Sequence, residues 1–333
     1  MPLYPEIEPY DHGMLDVGDG NRVYWETCGN PRGKPAVVLH GGPGSGSGPY
    51  FRRLFDPAAY RIVLLDQRGA GRSTPAASAY GTDMSVNTMP RLIADLELLR
   101  EHLGIERWLV WGVSFGSVLG LRYAQTRPAA VSEVVLTGVA TGSDAEVALL
   151  TRGLGQIFPE AFKRFLAELP AGERDGDLAA AYNRLLESPD PEVRARAARA
   201  WTDWETATIP APPRSVERFE DPEFRLGFVR TVTHYWGNGH FLEEDGVVLR
   251  DAHLLKDVPG TLVQGSLDFG NLAGIVWRLH HAWPGSELVV IDEVGHNAGA
   301  PGVADAMVSA TDKYARQWLS SASSPNNCLT VDS

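Results

Sequence analysis

The chain has 333 residues, 44% of them hydrophobic, and a formal net charge of −12. That length buries a sizeable core, either as one domain with an insertion or as two domains. The acidic balance argues against nucleic acid and anionic membrane as partners, because both select clustered Lys and Arg. No segment approaches the roughly 20 apolar residues that span a bilayer. Met1–Met14 has no basic start followed by an apolar run, so it does not read as a secretory leader, and a cytoplasmic location is expected. Cys28 and Cys328 lie far apart and suggest neither a disulfide framework nor a metal site.

In chain order, Met14–Val17 and Asn21–Glu26 flank Gly18-Asp19-Gly20, a turn signal, and predict a hairpin. Pro35–His40, Tyr60–Asp66, Arg107–Val113 and Val131–Val139 are short apolar runs expected as strands of a parallel sheet covered on both faces. Between the second and third of these, Leu92, Leu96, Leu99 and Leu103 recur at helical spacing, with Pro90 at the start and Gly104 at the stop. From Thr141 to about Arg250 the sequence is mostly helical and lacks a strong strand. Strand periodicity returns at Gly260–Gly265 and Glu287–Ile291, and an amphipathic helix closes the pattern at Val303–Leu319. The expected fold class is α/β: a mostly parallel sheet flanked by helices, with an inserted helical block. The expected division is core over 1–140 and 251–320, helical cap over 141–250 and a flexible polar tail over 321–333.

Gly112-Val113-Ser114-Phe115-Gly116 fits G-x-S-x-G between a predicted strand and a predicted helix, Phe115–Gln125. The pentapeptide alone is weak. In that context it predicts a nucleophile elbow that lifts the Ser114 hydroxyl above the sheet. His40-Gly41-Gly42-Pro43-Gly44 follows the first core strand, where a glycine loop can aim a backbone N–H at a substrate carbonyl. Gly42 and Phe115 are therefore the expected oxyanion donors. A phosphate loop is excluded, because no Gly-Lys-Ser/Thr follows.

On this fold the acid and the base follow the serine in that order. Asp268 comes just after the strand at Thr261–Gln264, and His296 just after the last strand. Asp292 competes as the acid, but it precedes His296 by only four residues, a poor position for reaching Nδ1. His280 and His281 fall on a predicted helix. His234 and His240 fall in the inserted block and could touch substrate. Ser114 then attacks an acyl carbon, His296 carries the proton, and Asp268 orients the imidazole. No metal-ligand spacing or cofactor motif is present, and this chemistry needs none.

His40–Gly44, Asp66–Ser73 (DQRGAGRS), Gly112–Ser117 and Trp201–Glu205 (WTDWE) together resemble the proline iminopeptidases, over about Tyr10 to Leu319. The resemblance implies an α/β-hydrolase core with a helical cap and removal of N-terminal proline from peptides. It also implies that Asp66–Gly69 supports the oxyanion loop and that Glu205 holds the substrate's free amine. The chain departs from the family pattern at Val232, where a second Glu is usual, and at Phe115, Thr137, Ala140 and Asn297. The expectation is a serine hydrolase of small-molecule or short-peptide substrates with altered specificity, a specialised metabolite among the options. Trp201, Trp204, Trp236 and Phe241 are its candidate pocket residues, with Val232 beside them. Two alternatives stand: a genuine proline iminopeptidase whose second amine contact comes from Glu243 or Glu244, and a non-hydrolytic biosynthetic enzyme. Nothing in the sequence specifies an oligomeric state.

Overall fold

The computed structural model describes residues 3–209 and 216–322. Eight strands form one sheet: β1 (Asp11–Asp16), β2 (Arg22–Gly29), β3 (Lys34–Leu39), β4 (Tyr60–Leu65), β5 (Trp108–Val113), β6 (Val131–Thr137), β7 (Gly260–Gly265) and β8 (Ser286–Ile291). Their order across the sheet is β1-β2-β4-β3-β5-β6-β7-β8. The hairpin partners β1 and β2, and β2 with β4, run antiparallel, and every other pair is parallel.

Alternate residues of each central strand go to opposite faces, as a pleated strand requires. Val37 and Leu39 of β3 join one apolar cluster with residues of α1 (Met89–His102), α2 (Phe115–Thr126) and α9 (Ala273–Ala282). Ala36 and Val38 join a second cluster on the other face with Val303, Met307 and Tyr314 of α10 (Pro301–Ala322). Both faces are covered, which is why these strands read as unbroken apolar runs. β6 ends at Thr137, two residues earlier than the sequence suggests, because Gly138 turns the chain out with φ +53°. α10 runs on through the first residues of the stretch read as a tail. The remainder, 323–333 with Cys328, lies outside the described residues.

Between β6 and β7 lie α3 (Asp144–Thr151), α4 (Pro159–Ala167), α5 (Leu178–Leu186), α6 (Pro191–Ala207), α7 (Pro222–Trp236) and the short α8 (Val247–Arg250). Asp190-Pro191 and Asp221-Pro222 start α6 and α7, each Asp side chain accepting a hydrogen bond from the backbone N–H two residues on. Residues of α3 to α7 share a cluster of their own, built on Phe165, Tyr182, Trp201, Trp204 and Val232. Arg230 fastens this insertion to the core: it pairs with Glu187 and donates to the carbonyls of Ala77, Ala79 and Thr82. Tyr235 adds a buried hydrogen bond to Asn87 Oδ1 at 2.8 Å. Among the described residues no helix is long and apolar enough to cross a membrane.

Candidate active site

β3 lies between β4 and β5, so the chain leaves β3 to one side and later returns on the other. At such a reversal the loops after adjacent strands diverge and leave a crevice beyond their carboxyl ends. The loop His40–Gly44 follows β3, and Ser114 follows β5. Both open into that crevice.

Ser114 has φ 55° and ψ −123°, a backbone conformation that costs a non-glycine residue on the order of 1–3 kcal/mol. The flanking glycines make the turn possible. A Cβ on Gly116 would lie 2.1 Å from the Leu39 carbonyl oxygen, and one on Gly112 would lie 2.4 Å from that of Gly116. Gly41 likewise packs where a Cβ would come within 2.9 Å of Ser114 Cβ. The first glycine of the loop thus lets it approach the serine.

The loop is held from behind. His40 is fully buried, and its Nε2 accepts from the Gln67 N–H at 3.0 Å while its Nδ1–H donates to the Gly41 carbonyl. Burial depresses its pKa, which keeps this neutral tautomer. Gln67 Nε2 donates to the His40 carbonyl. Asp66 accepts from the Ser47 backbone and hydroxyl and from Arg72, and these bonds hold its pKa down against burial. The segment Asp66-Gln67 therefore supports the glycine loop and does not itself face the crevice.

Asp268 and His296 come together although 28 residues separate them, with Nδ1 of the imidazole 2.8 Å from Oδ2. Asp268 is 2% exposed, whereas the His296 side chain is 41% exposed. Nδ1–H donates to the carboxylate, leaving Nε2 as the basic atom of the ring. The Asp268 carboxylate, with a smaller contribution from Glu205, raises the His296 pKa against desolvation. Two further residues, not apparent in the sequence, fix the acid. Gln264 Nε2 donates to Asp268 Oδ2 at 3.1 Å while its Oε1 accepts from the Val139 N–H, and the Asn271 N–H donates to Asp268 Oδ1 at 2.9 Å. Gln264 points inward from β7 and nothing local marks it. Only the packing of β6 against β7 makes it a bridge. Asp292 is exposed, and the carboxylate bonded to His296 is that of Asp268.

Ser114, Phe115, Gly42 and His296 line a cavity of about 880 Å³. Glu205 and Trp236 also line it, as does His240, whereas His234 is buried and donates Nε2–H to the Asn87 carbonyl. Glu205 receives the Trp201 Nε1–H at 2.7 Å and forms no ion pair among the described residues. Desolvation pushes its pKa up to about 7, against the lowering effects of the Trp201 bond, Arg218 and His296. Glu146 also lines the cavity, but its carboxylate accepts from Thr141 and Ser143 in the capping box of α3. Among the described residues, no group of three or more His, Cys, Asp or Glu side chains is placed to hold a metal ion.

Several expected pocket residues lie elsewhere. Trp201, Trp204 and Val232 are 1%, 3% and 0% exposed and belong to the insertion's own core, not to the cavity wall. Trp204 donates its indole N–H to the Leu150 carbonyl. Phe241 packs against His234 and Tyr235 on the core side. Glu243 pairs with Arg122 and Glu244 with Arg250, so neither carboxylate is free to supply a second amine contact. The apolar wall comes instead from Val147, Leu150, Phe219 and Phe228 beside Trp236. These residues sit on three separate segments, and no local pattern singles them out.

The sheet, the elbow and the crevice define an α/β hydrolase, and a family model described as alpha/beta hydrolase fold matches residues 34–302. The chain belongs to that family and is a hydrolase. It is 79% identical over 319 residues to a probable proline iminopeptidase of Streptomyces coelicolor, covering 95% of this chain and 98% of that one. It is 45% identical over 315 residues to the proline iminopeptidase of Xylella fastidiosa, covering 94% and 99%. The chain therefore belongs to the proline iminopeptidase family. A crystal structure of a Mycobacterium smegmatis proline iminopeptidase superposes with a TM-score of 0.58 at 19% identity, over 94% of this chain and 100% of that one, a likeness of fold.

Proposed function

We propose that this hydrolase is a proline iminopeptidase in the full sense, releasing N-terminal proline from short peptides through an acyl-enzyme. The single observation that carries the reading is Glu205, a carboxylate that shares the cavity with Ser114 and has no cation paired to it among the described residues. A peptide whose first residue is proline carries a secondary ammonium a few bonds from its scissile carbonyl, which is the complement of such a site. The names of the two relatives support the same substrate. Divergence at Val232 counts less against it than the sequence suggests, because that side chain packs in the core of the insertion.

In this reading the helical insertion acts as the cap. Ser114 Oγ attacks the carbonyl carbon of the bound prolyl residue as His296 Nε2 takes its proton. Asp268 holds the imidazole in the tautomer that can accept it and stabilises the imidazolium. The N–H groups of Gly42 and Phe115 receive the oxyanion, a contribution worth about 2.7–4 kcal/mol per donor in comparable enzymes. His296 then protonates the departing amine, and water releases proline from Ser114 by the same steps in reverse.

A second reading has its own observation. The cavity of about 880 Å³ is wider than a prolyl group needs, and its apolar wall suits a bulky acyl amide or ester. Hydrolysis of prolyl p-nitroanilide beside p-nitrophenyl butyrate, with wild type and Ser114→Ala, decides between them. Prolyl cleavage lost in Ser114→Ala is expected. Ester cleavage with no prolyl cleavage overturns the first reading in favour of the second.

A further inference from the structure

Arg218 is the one guanidinium or ammonium group lining the cavity among the described residues. Its guanidinium carbon sits 5.2 Å from the Phe224 ring centroid and 5.9 Å from that of Phe228. Those faces hold the side chain through cation–π contact without occupying its N–H donors. No hydrogen bond or ion pair to Arg218 forms among the described residues, in contrast to Arg230 and Arg122, whose forks are filled. Arg218 is close enough to Glu205 to stabilise its carboxylate, yet the two do not pair. Among the described residues, the cavity that holds Ser114 thus carries a carboxylate, Glu205, and a guanidinium, Arg218, that stand outside any ion pair, with the exposed Glu293 as a further carboxylate on its lining.

This pattern matches a small zwitterion. Two extended residues separate their terminal charges by at most roughly 7 Å, so a dipeptide can present its ammonium and its carboxylate to a single cavity. A planar guanidinium is suited to take a carboxylate through two parallel N–H donors. We propose that Arg218 binds the free C-terminal carboxylate of a dipeptide, so that prolyl dipeptides are the preferred substrates. The proposal rests on the iminopeptidase reading, with Glu205 at the amine. A role for Arg218 only as the electrostatic neighbour of Glu205 affects every prolyl substrate alike, which separates it from carboxylate binding.

The test compares prolyl-alanine with prolyl-alaninamide on wild type, Arg218→Gln and Arg218→Lys. The ratio of the two kcat/KM values within one preparation does not depend on how much of it is folded. Wild type is expected to favour the free acid by about 10–100-fold, the range for a hydrogen bond to a charged group, chiefly through KM. Arg218→Gln should bring the ratio close to one, and Arg218→Lys should retain part of it. An equal ratio in wild type and Arg218→Gln overturns the proposal. If wild type cleaves neither prolyl substrate, the iminopeptidase reading fails, and the carboxylate site is then decided by inhibition of p-nitrophenyl acetate hydrolysis. Tighter inhibition by 4-phenylbutyrate than by 4-phenylbutyramide, lost in Arg218→Gln, supports the site, and equal inhibition sinks it.

Discussion

Trp201 and Glu205 lie one turn apart on α6, and the indole N–H of the first donates to Oε1 of the second at 2.7 Å. Trp201 is thus not a wall of the cavity but the support behind the carboxylate that faces it. The bond orients the carboxylate and offsets part of the cost of keeping it charged away from water. Trp201→Phe keeps an aromatic ring against Phe165, Tyr182 and Trp236 while removing that donor. The pKa of Glu205, already about 7, should then rise further. The acid limb of kcat/KM for prolyl p-nitroanilide is expected to move to higher pH in the variant. A limb that stays in place means that Glu205 is not the group being titrated.

Glu205→Gln separates binding from stability. A prolyl ammonium that loses its carboxylate costs roughly 2–5 kcal/mol, so kcat/KM on prolyl substrates should fall by about 30-fold to several thousand-fold, mainly through KM. The same variant should be the more stable protein at pH 8. With a folded-state pKa of about 7 against an ordinary 4.5, the native protein bears the cost of the ionised carboxylate at high pH. That cost shrinks as pH falls through 7 and is gone below the unfolded value, near 4.5. Thermal denaturation should show Glu205→Gln melting above wild type at pH 8 and level with it near pH 4. A variant that melts lower at pH 8 contradicts the burial argument.

Gln264 ties three elements together, holding Asp268, the Asn271 carbonyl and the Val139 N–H at once. Gln264→Ala leaves the Val139 N–H without that buried partner and lets the Asp268 carboxylate turn. Each buried polar group left unsatisfied costs about 1–3 kcal/mol. A lower melting temperature is expected, together with a fall in kcat of roughly tenfold or more. Folded protein with wild-type kcat shows that the Asn271 N–H suffices to place the acid.

Val232 tests where the cavity ends. It is fully buried among the aromatic residues of the insertion. Val232→Glu therefore places a carboxylate in an apolar core, at a cost of several kcal/mol. Loss of soluble or cooperatively folding protein is expected. A stable variant with a lower KM for prolyl p-nitroanilide demonstrates that position 232 reaches the substrate after all.

Much of this molecule is local and therefore legible in the sequence. The strand that precedes Ser114, the helix that follows it and the glycines that permit φ 55° are all set by side-chain volume and backbone sterics within a few residues. Covered central strands read as apolar runs because both faces are buried. Chain order alone placed Asp268 and His296 after late strands, since the loops at the carboxyl edge of the sheet are where such groups can meet. Tertiary structure decided what each side chain of the insertion faces. Trp201, Trp204, Val232 and Trp236 look alike as apolar residues on two helices, yet only Trp236 reaches the cavity. That outcome depends on how α6 and α7 rotate as they pack, and helical periodicity does not set it. The support of Asp268 by Gln264, the commitment of Glu146, Glu243 and Glu244 to other partners and the placing of Arg218 on the cavity are likewise decided by packing. Their energies exist only once the sheet and the insertion have closed around the site.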